Sequence, residues 1–194
     1  MAGIRTQLSG ATNILLEQPS LGGGRDVCTS LLTEETPPNV LFVTFTRQAS
    51  ACVGQLDGQS VDNVGVITVG DASTAVEDDS VVTESVSTPS DLTGLGISIG
   101  KFLSEFDEPV LVCFDSLTSM LQYVTVQTAY EFLHAVTGQI HAADARAHFH
   151  IDPSAHGDQD VAAIASLFDA RVSLGDGDPE VQTRRLLESG ISKR

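Results

Sequence analysis

Short unbroken apolar runs alternate along this chain with stretches in which apolar residues recur every three or four positions. The first run, Asn13-Ile14-Leu15-Leu16, leads into a glycine-rich loop over 21–24 and then a helical stretch over 26–33. Val40-Leu41-Phe42-Val43-Thr44-Phe45 follows Pro37-Pro38 as a second buried strand, helical spacing fills 48–56, and 64–69 reads as a third strand. From 70 to 89 the composition turns acidic and rich in Ser and Thr, with only a short extended piece at Val81-Val82, which predicts a long surface connection.

Ser90 or Asp91 is placed to cap a helix carried by Leu92, Leu95, Ile99, Phe102, Leu103 and Phe106, which ends near Asp107-Glu108-Pro109. Val110-Leu111-Val112-Cys113-Phe114 then runs unbroken to Asp115-Ser116, the profile of a central parallel strand covered on both faces. A helix over 126–143, a strand over 145–151, a helix over 160–167 and a strand over 170–174 follow, and 180–187 offers an edge strand before a basic tail. The repetition predicts an α/β fold in one domain over 1–194, a three-layer αβα arrangement with a mostly parallel sheet and helices on both faces.

Charge changes the picture of partners. Ten Lys and Arg face 26 Asp and Glu, a formal net charge of −16. Nucleic-acid binding is not expected, because it needs excess cations to replace phosphate counterions, and an anionic membrane surface repels such a chain. Periodic apolar segments exclude disorder as the cause of the acidity. Lys101 and Lys193 are the only lysines and Asp outnumbers Glu, a composition that resembles proteins of salt-accumulating haloarchaea. Cys28, Cys52 and Cys113 lie in apolar segments and cannot all pair, which fits a reducing cytoplasm. No basic leader followed by a long apolar run is present, so a soluble cytoplasmic protein is expected.

A strand, a glycine-rich turn and a helix form the setting in which backbone N–H groups cradle phosphates. Aligned on Gly24, the pattern G-x-x-x-x-G-K-[ST] meets Pro19-Ser20-Leu21-Gly22-Gly23-Gly24-Arg25-Asp26, with three of its four defining positions changed. With this loop, Phe42-Val43-Thr44-Phe45, the run Pro109 through Asp115-Ser116-Leu117-Thr118-Ser119, and Phe168-Asp169-Ala170-Arg171-Val172 in that order, residues 13–174 resemble the RecA-like superfamily. The resemblance is strongest to KaiC-like ATPase domains in a degenerate haloarchaeal form of unknown function. It implies that Gly22, Gly23, Gly24, Arg25, Asp26 and Asp115 are a vestigial nucleotide site, Asp115 matching the Walker-B carboxylate that helps hold Mg²⁺. It also implies that Thr46-Arg47 stand where that family carries catalytic glutamates, so no catalytic residue is assigned.

Each change has a physical cost. Pro19 removes an N–H and fixes φ where the loop bends around phosphate. Arg25 keeps a positive charge but not the compact ammonium that fits between phosphates. Asp26 replaces the hydroxyl beside Mg²⁺, and two like charges at about 4 Å repel by roughly 4 kcal/mol at an effective dielectric near 20. A divalent ion offsets part of this. Losing a positioned acid or base removes a further factor of about 10²–10⁴ in rate. A ligand-free strand-to-helix turn and weak anion binding both fit Gly22-Gly23-Gly24, and a helix cap or an ion pair with Arg25 competes with metal binding at Asp115.

His148, His150 and Asp152 alternate along one strand face and His156 follows closely, which makes these four a candidate site for zinc or another transition metal. Polar residues without metal at the functional edge of the sheet are the plainer reading. His134 and His141 fit a helix face. Neither G-x-S-x-G nor H-E-x-x-H occurs, and Arg184, Arg185, Lys193 and Arg194 read as a solvated basic tail.

These readings lead to a RecA-like pseudo-ATPase that acts as a regulator or scaffold through an unidentified protein partner, with self-association implied by the resemblance. No cofactor is expected, and weak ATP and Mg²⁺ binding is the alternative. A divergent Mg·ATP-dependent ATPase, and a metal-binding enzyme or sensor built on the histidines, are the competing functions. The charge makes one direct prediction: since molar salt shortens the screening length to about 3 Å, the melting midpoint should rise from dilute buffer to molar KCl, as read by circular dichroism.

Overall fold

Five strands whose side chains are buried, or all but one buried, lie side by side and set the architecture of the computed structural model, which describes residues 2–19, 24–71, 73–76, 78, 80–175 and 177–184. They are β1 (Asn13–Glu17), β2 (Asn39–Thr44), β3 (Val64–Val69), β5 (Val110–Asp115) and β6 (Arg146–Ile151). With β4 (Val81–Val86), β7 (Ala170–Ser173) and β8 (Glu180–Thr183) they form one sheet in the order β4-β3-β2-β5-β6-β1-β7-β8. All neighbours pair in parallel except β7 and β8. A parallel sheet is covered on both faces, which is why its strands read as continuous apolar runs.

Side-chain parity splits the core into two layers. Leu15, Val43, Ile67, Val112, Phe114 and Phe149 point to one face and pack with α4 (Leu92–Glu105), α6 (Val126–Ala142) and α7 (Asp158–Ala165). Leu16, Phe42, Val66 and Cys113 point to the other and pack with α1 (Ala2–Gln7), α2 (Arg25–Leu31) and α3 (Ala49–Val53). Asp91 caps α4 by accepting a hydrogen bond from the Gly94 N–H at 2.8 Å, and Ser116 caps the short α5 (Leu117–Met120). No helix among the described residues is long and apolar enough to cross a membrane.

The surface connection expected over 70–89 is corrected in part: it contains the whole of β4, paired to β3 from Val64↔Val81 to Val69↔Val86. Its only buried side chain is Val86, so it has almost no apolar signature; the hydrogen bonds offered by β3 hold it as an edge. An ion pair between Glu84 and Lys101 ties it to α4. The helix expected over 48–56 divides into α3 and a 3-10 turn over Gly54–Leu56. The strand read over 180–187 is described at Glu180–Thr183, antiparallel to β7, and Arg185, Lys193 and Arg194 lie outside the described residues.

At the N-terminal edge of the sheet, the Asp169 carboxylate accepts the N–H groups of Thr12 at 3.1 Å and Asn13 at 2.9 Å. The β1 and β7 entries are thereby fixed to each other. In β3, Gly65 lets the Phe102 ring of α4 lie on the sheet: a Cβ there would fall 2.5 Å from Cε1 of that ring. Overpacking of a filled core costs about 1–3 kcal/mol. Gly65→Ala should therefore lower the unfolding free energy by about that much in denaturant titration, and by less in a Phe102→Leu background.

Candidate functional site

The carboxyl ends of β1, β2, β5 and β6 open onto one cleft of about 180 Å³, lined among others by Gln18, Thr46, Asp115, Ser116, Thr118, His150 and Asp152. In open α/β sheets ligands bind at this edge. The crossover from β1 through α2 to β2 passes over β6 and β5, and Gln18 just after β1 and Asp115 at the end of β5 both line the cleft.

Asp115, at the end of β5, is paired with Arg47 at 3.7 Å, both partly buried. Arg47, not Arg25, is its cation. The same guanidinium donates from Nη1 to Gln55 Oε1 and from Nη2 to the Ala51 carbonyl, each at 2.8 Å, while Thr44 Oγ1 accepts the Arg47 N–H at 2.9 Å. Gln55 Nε2 in turn donates to Cys28 Sγ at 3.1 Å and to Thr29 Oγ1 at 3.3 Å. A continuous polar chain thus runs from the cleft carboxylate to α2.

Of the candidate nucleotide residues, Gly22 and Gly23 lie outside the described residues. Gly24 precedes α2 and is buried; a Cβ there would collide with the side chains of Gln18 and Leu174. Arg25 and Asp26 are exposed on the first turn of a helix only seven residues long. Next to this loop, at the end of β1, the buried Glu17 carboxylate accepts hydrogen bonds from Arg171 Nε at 3.0 Å and Ser173 Oγ at 2.8 Å. Sequence reasoning missed this trio, since the partners are more than 150 residues apart.

Of the four candidate metal ligands, the structure brings His148 and His150 together, with ring centroids 5.1 Å apart, both buried and facing α2. Asp152 and His156 lie beyond the strand. Asp152 Oδ1 accepts from the Ser154 N–H at 3.0 Å and from Ser154 Oγ at 2.6 Å, capping a 3-10 turn over Pro153–Ala155. His156 Nε2 lies 3.2 Å from Thr118 Oγ1. Two cysteines take their places beside the histidines. Cys28 Sγ is 3.1 Å from His148 Nε2 and 3.7 Å from Cys113 Sγ, and Cys113 Sγ is 3.5 Å from His150 Nε2. All four are buried, and their ligand atoms lie within 4.8 Å of one another. The clue in the sequence is parity: Cys113 and Asp115 share a face of β5, and Cys113 sits opposite His148 in the adjoining strand.

These groups perturb one another. The Cys28 thiol is held well below its ordinary value because the Cys113 S–H donates to it; burial opposes this, and the His148 charge supports it. Cys113 is pushed well up because its proton is committed to Cys28, with burial adding. Burial alone would lower His150, yet the hydrogen bond and negative charge of Cys28 outweigh that and leave it raised. Cys52, outside the cluster, is pushed up to about 11 by burial.

Residues 11–174 match a family of unknown function, DUF7504. The chain belongs to that family. Among curated proteins none matches this DUF7504 chain in sequence. Its fold is similar to that of a protein from Pyrococcus horikoshii OT3, at 11% identity and a TM-score of 0.63, covering 89% of this chain and 86% of the other. It is also similar to the flagellar accessory protein FlaH from Methanocaldococcus jannaschii, at 13% identity and a TM-score of 0.54, covering 88% and 75%. These likenesses show that this DUF7504 chain has a RecA-like fold.

The Arg47 contacts carry a prediction for the DUF7504 chain. Arg47→Met strands the Asp115 carboxylate and the Gln55 and Ala51 carbonyls at once. Hydrogen bonds to charged groups are worth about 1.5–3 kcal/mol. Unfolding free energy should fall by about 1–3 kcal/mol, with Arg47→Lys recovering only part, as measured by denaturant titration in molar KCl.

Proposed function

We propose that this chain is a KaiC-like pseudo-ATPase of haloarchaeal type, a RecA-like domain that has given up ATP hydrolysis and works as a regulator or scaffold through a protein partner. The pairing of Asp115 with Arg47 carries this reading. A Walker-B carboxylate must be available to the shell of a metal ion, and here a fixed cation neutralises it from the position where the catalytic acids would stand. The degenerate Walker A loop points the same way: Pro19 lacks an N–H, and Arg25 and Asp26 replace the ammonium and the hydroxyl. With hydrolysis gone, what such a fold retains is its surface, and a net charge of −16 fits a protein that stays dispersed in concentrated salt and meets a partner of complementary charge. The likeness to a protein described as a flagellar accessory protein is in keeping with an auxiliary role.

Calorimetry with Mg·ATP in molar KCl, paired with a phosphate-release assay, tests the reading. The expected result is no phosphate release and affinity no tighter than about millimolar, or −4 kcal/mol, unchanged by Arg25→Ala. Micromolar affinity that disappears in Arg25→Ala would overturn it in favour of a divergent Mg·ATP-dependent ATPase.

A further inference from the structure

We propose that Cys28, Cys113, His148 and His150 form a closed, structural zinc site that fastens α2 to β5 and β6. Zn²⁺ in such sites is tetrahedral, with Zn–S near 2.3 Å and Zn–N near 2.0–2.1 Å. Those bond lengths put ligand atoms at the corners of a tetrahedron about 3.8 Å apart for two sulfurs and about 3.5–3.6 Å for sulfur and nitrogen. The side chains already stand at 3.7 Å for the sulfur pair and at 3.1 and 3.5 Å for two of the four sulfur–nitrogen pairs, with all four ligand atoms within 4.8 Å of one another. The two sulfurs are not bonded to each other, since a disulfide holds its sulfurs at about 2.05 Å.

The chemistry of the donors selects the metal. Two thiolates and two neutral imidazoles in a tetrahedron are the donor set for zinc, and four protein ligands leave no open coordination position, which makes the site structural. Binding is balanced by the release of two thiol protons, one each from Cys28 and Cys113, and gives a metal centre with no net charge in an otherwise apolar layer. Without such a partner the position is an anomaly: four buried polar, titratable side chains packed together under a helix. His150 turns Nε2 toward the sulfurs, 3.5 Å from Cys113 Sγ, while its Nδ1 is buried with no hydrogen-bond partner among the described residues.

Support extends one residue outward. Gln55 Nε2 donates to Cys28 Sγ, the kind of hydrogen bond that steadies a metal-bound thiolate, and Arg47 fixes Gln55 by donating to its other atom. The site draws ligands from α2, β5 and β6, the helix and two strands behind the loop where a RecA-like fold would otherwise hold phosphate. This proposal does not depend on whether nucleotide binds.

The test uses the full chain, purified in molar KCl with a thiol reductant and no chelator. Elemental analysis should find about one zinc per chain. Exchange into Co²⁺ should give the intense visible bands of a tetrahedral ion together with a near-ultraviolet thiolate-to-cobalt charge-transfer band. Both should vanish in Cys28→Ser and Cys113→Ser and persist in Cys52→Ser. Because a buried variant can fail to fold, the unmodified chain supplies a second reading: a strong chelator should lower its melting midpoint and added Zn²⁺ should restore it. Zinc well below one per chain with no cobalt charge-transfer band, metal retained after loss of both Cys28 and Cys113, or a Cys28–Cys113 disulfide in the freshly purified reduced protein would each overturn the proposal.

Discussion

A parallel sheet covered on both faces leaves no water along its strands, so every polar side chain placed there must be met by another side chain or by backbone. That constraint organises the molecule. Glu17 is met by Arg171 and Ser173, Asp115 by Arg47, and Asn13 donates from Nδ2 to the Thr137 carbonyl at 3.1 Å. The cysteines and histidines of the α2 layer are met by one another. The polar chain from Asp115 through Arg47 and Gln55 to Cys28 joins two of these sets, so the cleft and the buried cluster share a common support.

The sequence makes the middle of the sheet legible because two-sided burial writes itself as unbroken apolar runs: Val40 to Phe45 and Val110 to Phe114 are visible without any structure. The β4 edge is not, since Thr83, Glu84 and Ser85 carry no apolar pattern and adopt extended structure by pairing with β3. The candidate site divides along the same line. The alternation of His148 and His150 is a local signal and puts the two rings on one face. Their companions Cys28 and Cys113 are 120 and 35 or more residues away in the chain, and only strand order and helix placement bring them near. Asp152 and His156 continue the local pattern past the end of the strand, where the backbone turns and parity no longer decides which side a residue faces.

The same distinction applies to Asp115, whose position is legible in the sequence while its surroundings are not. Its place after an apolar strand is a local property; the guanidinium against it comes from the loop after β2, two strands' worth of sequence earlier. A RecA-like sheet can therefore be retained while the groups at its carboxyl edge are committed to one another, because the core in the two helix layers does not draw on them.

Asp169 gathers the ends of three strands at one point. It pins the chain at Thr12 and Asn13, and the carbonyl of the same residue accepts the Arg184 N–H at 3.0 Å, so the approach to the first strand and the exit from the last meet at one corner. That corner lies at the opposite rim of the sheet from the cleft. Thr12, Asn13, Asp169 and Arg184 are absent from the cleft's lining, so loosening this corner and altering the cleft are separate events.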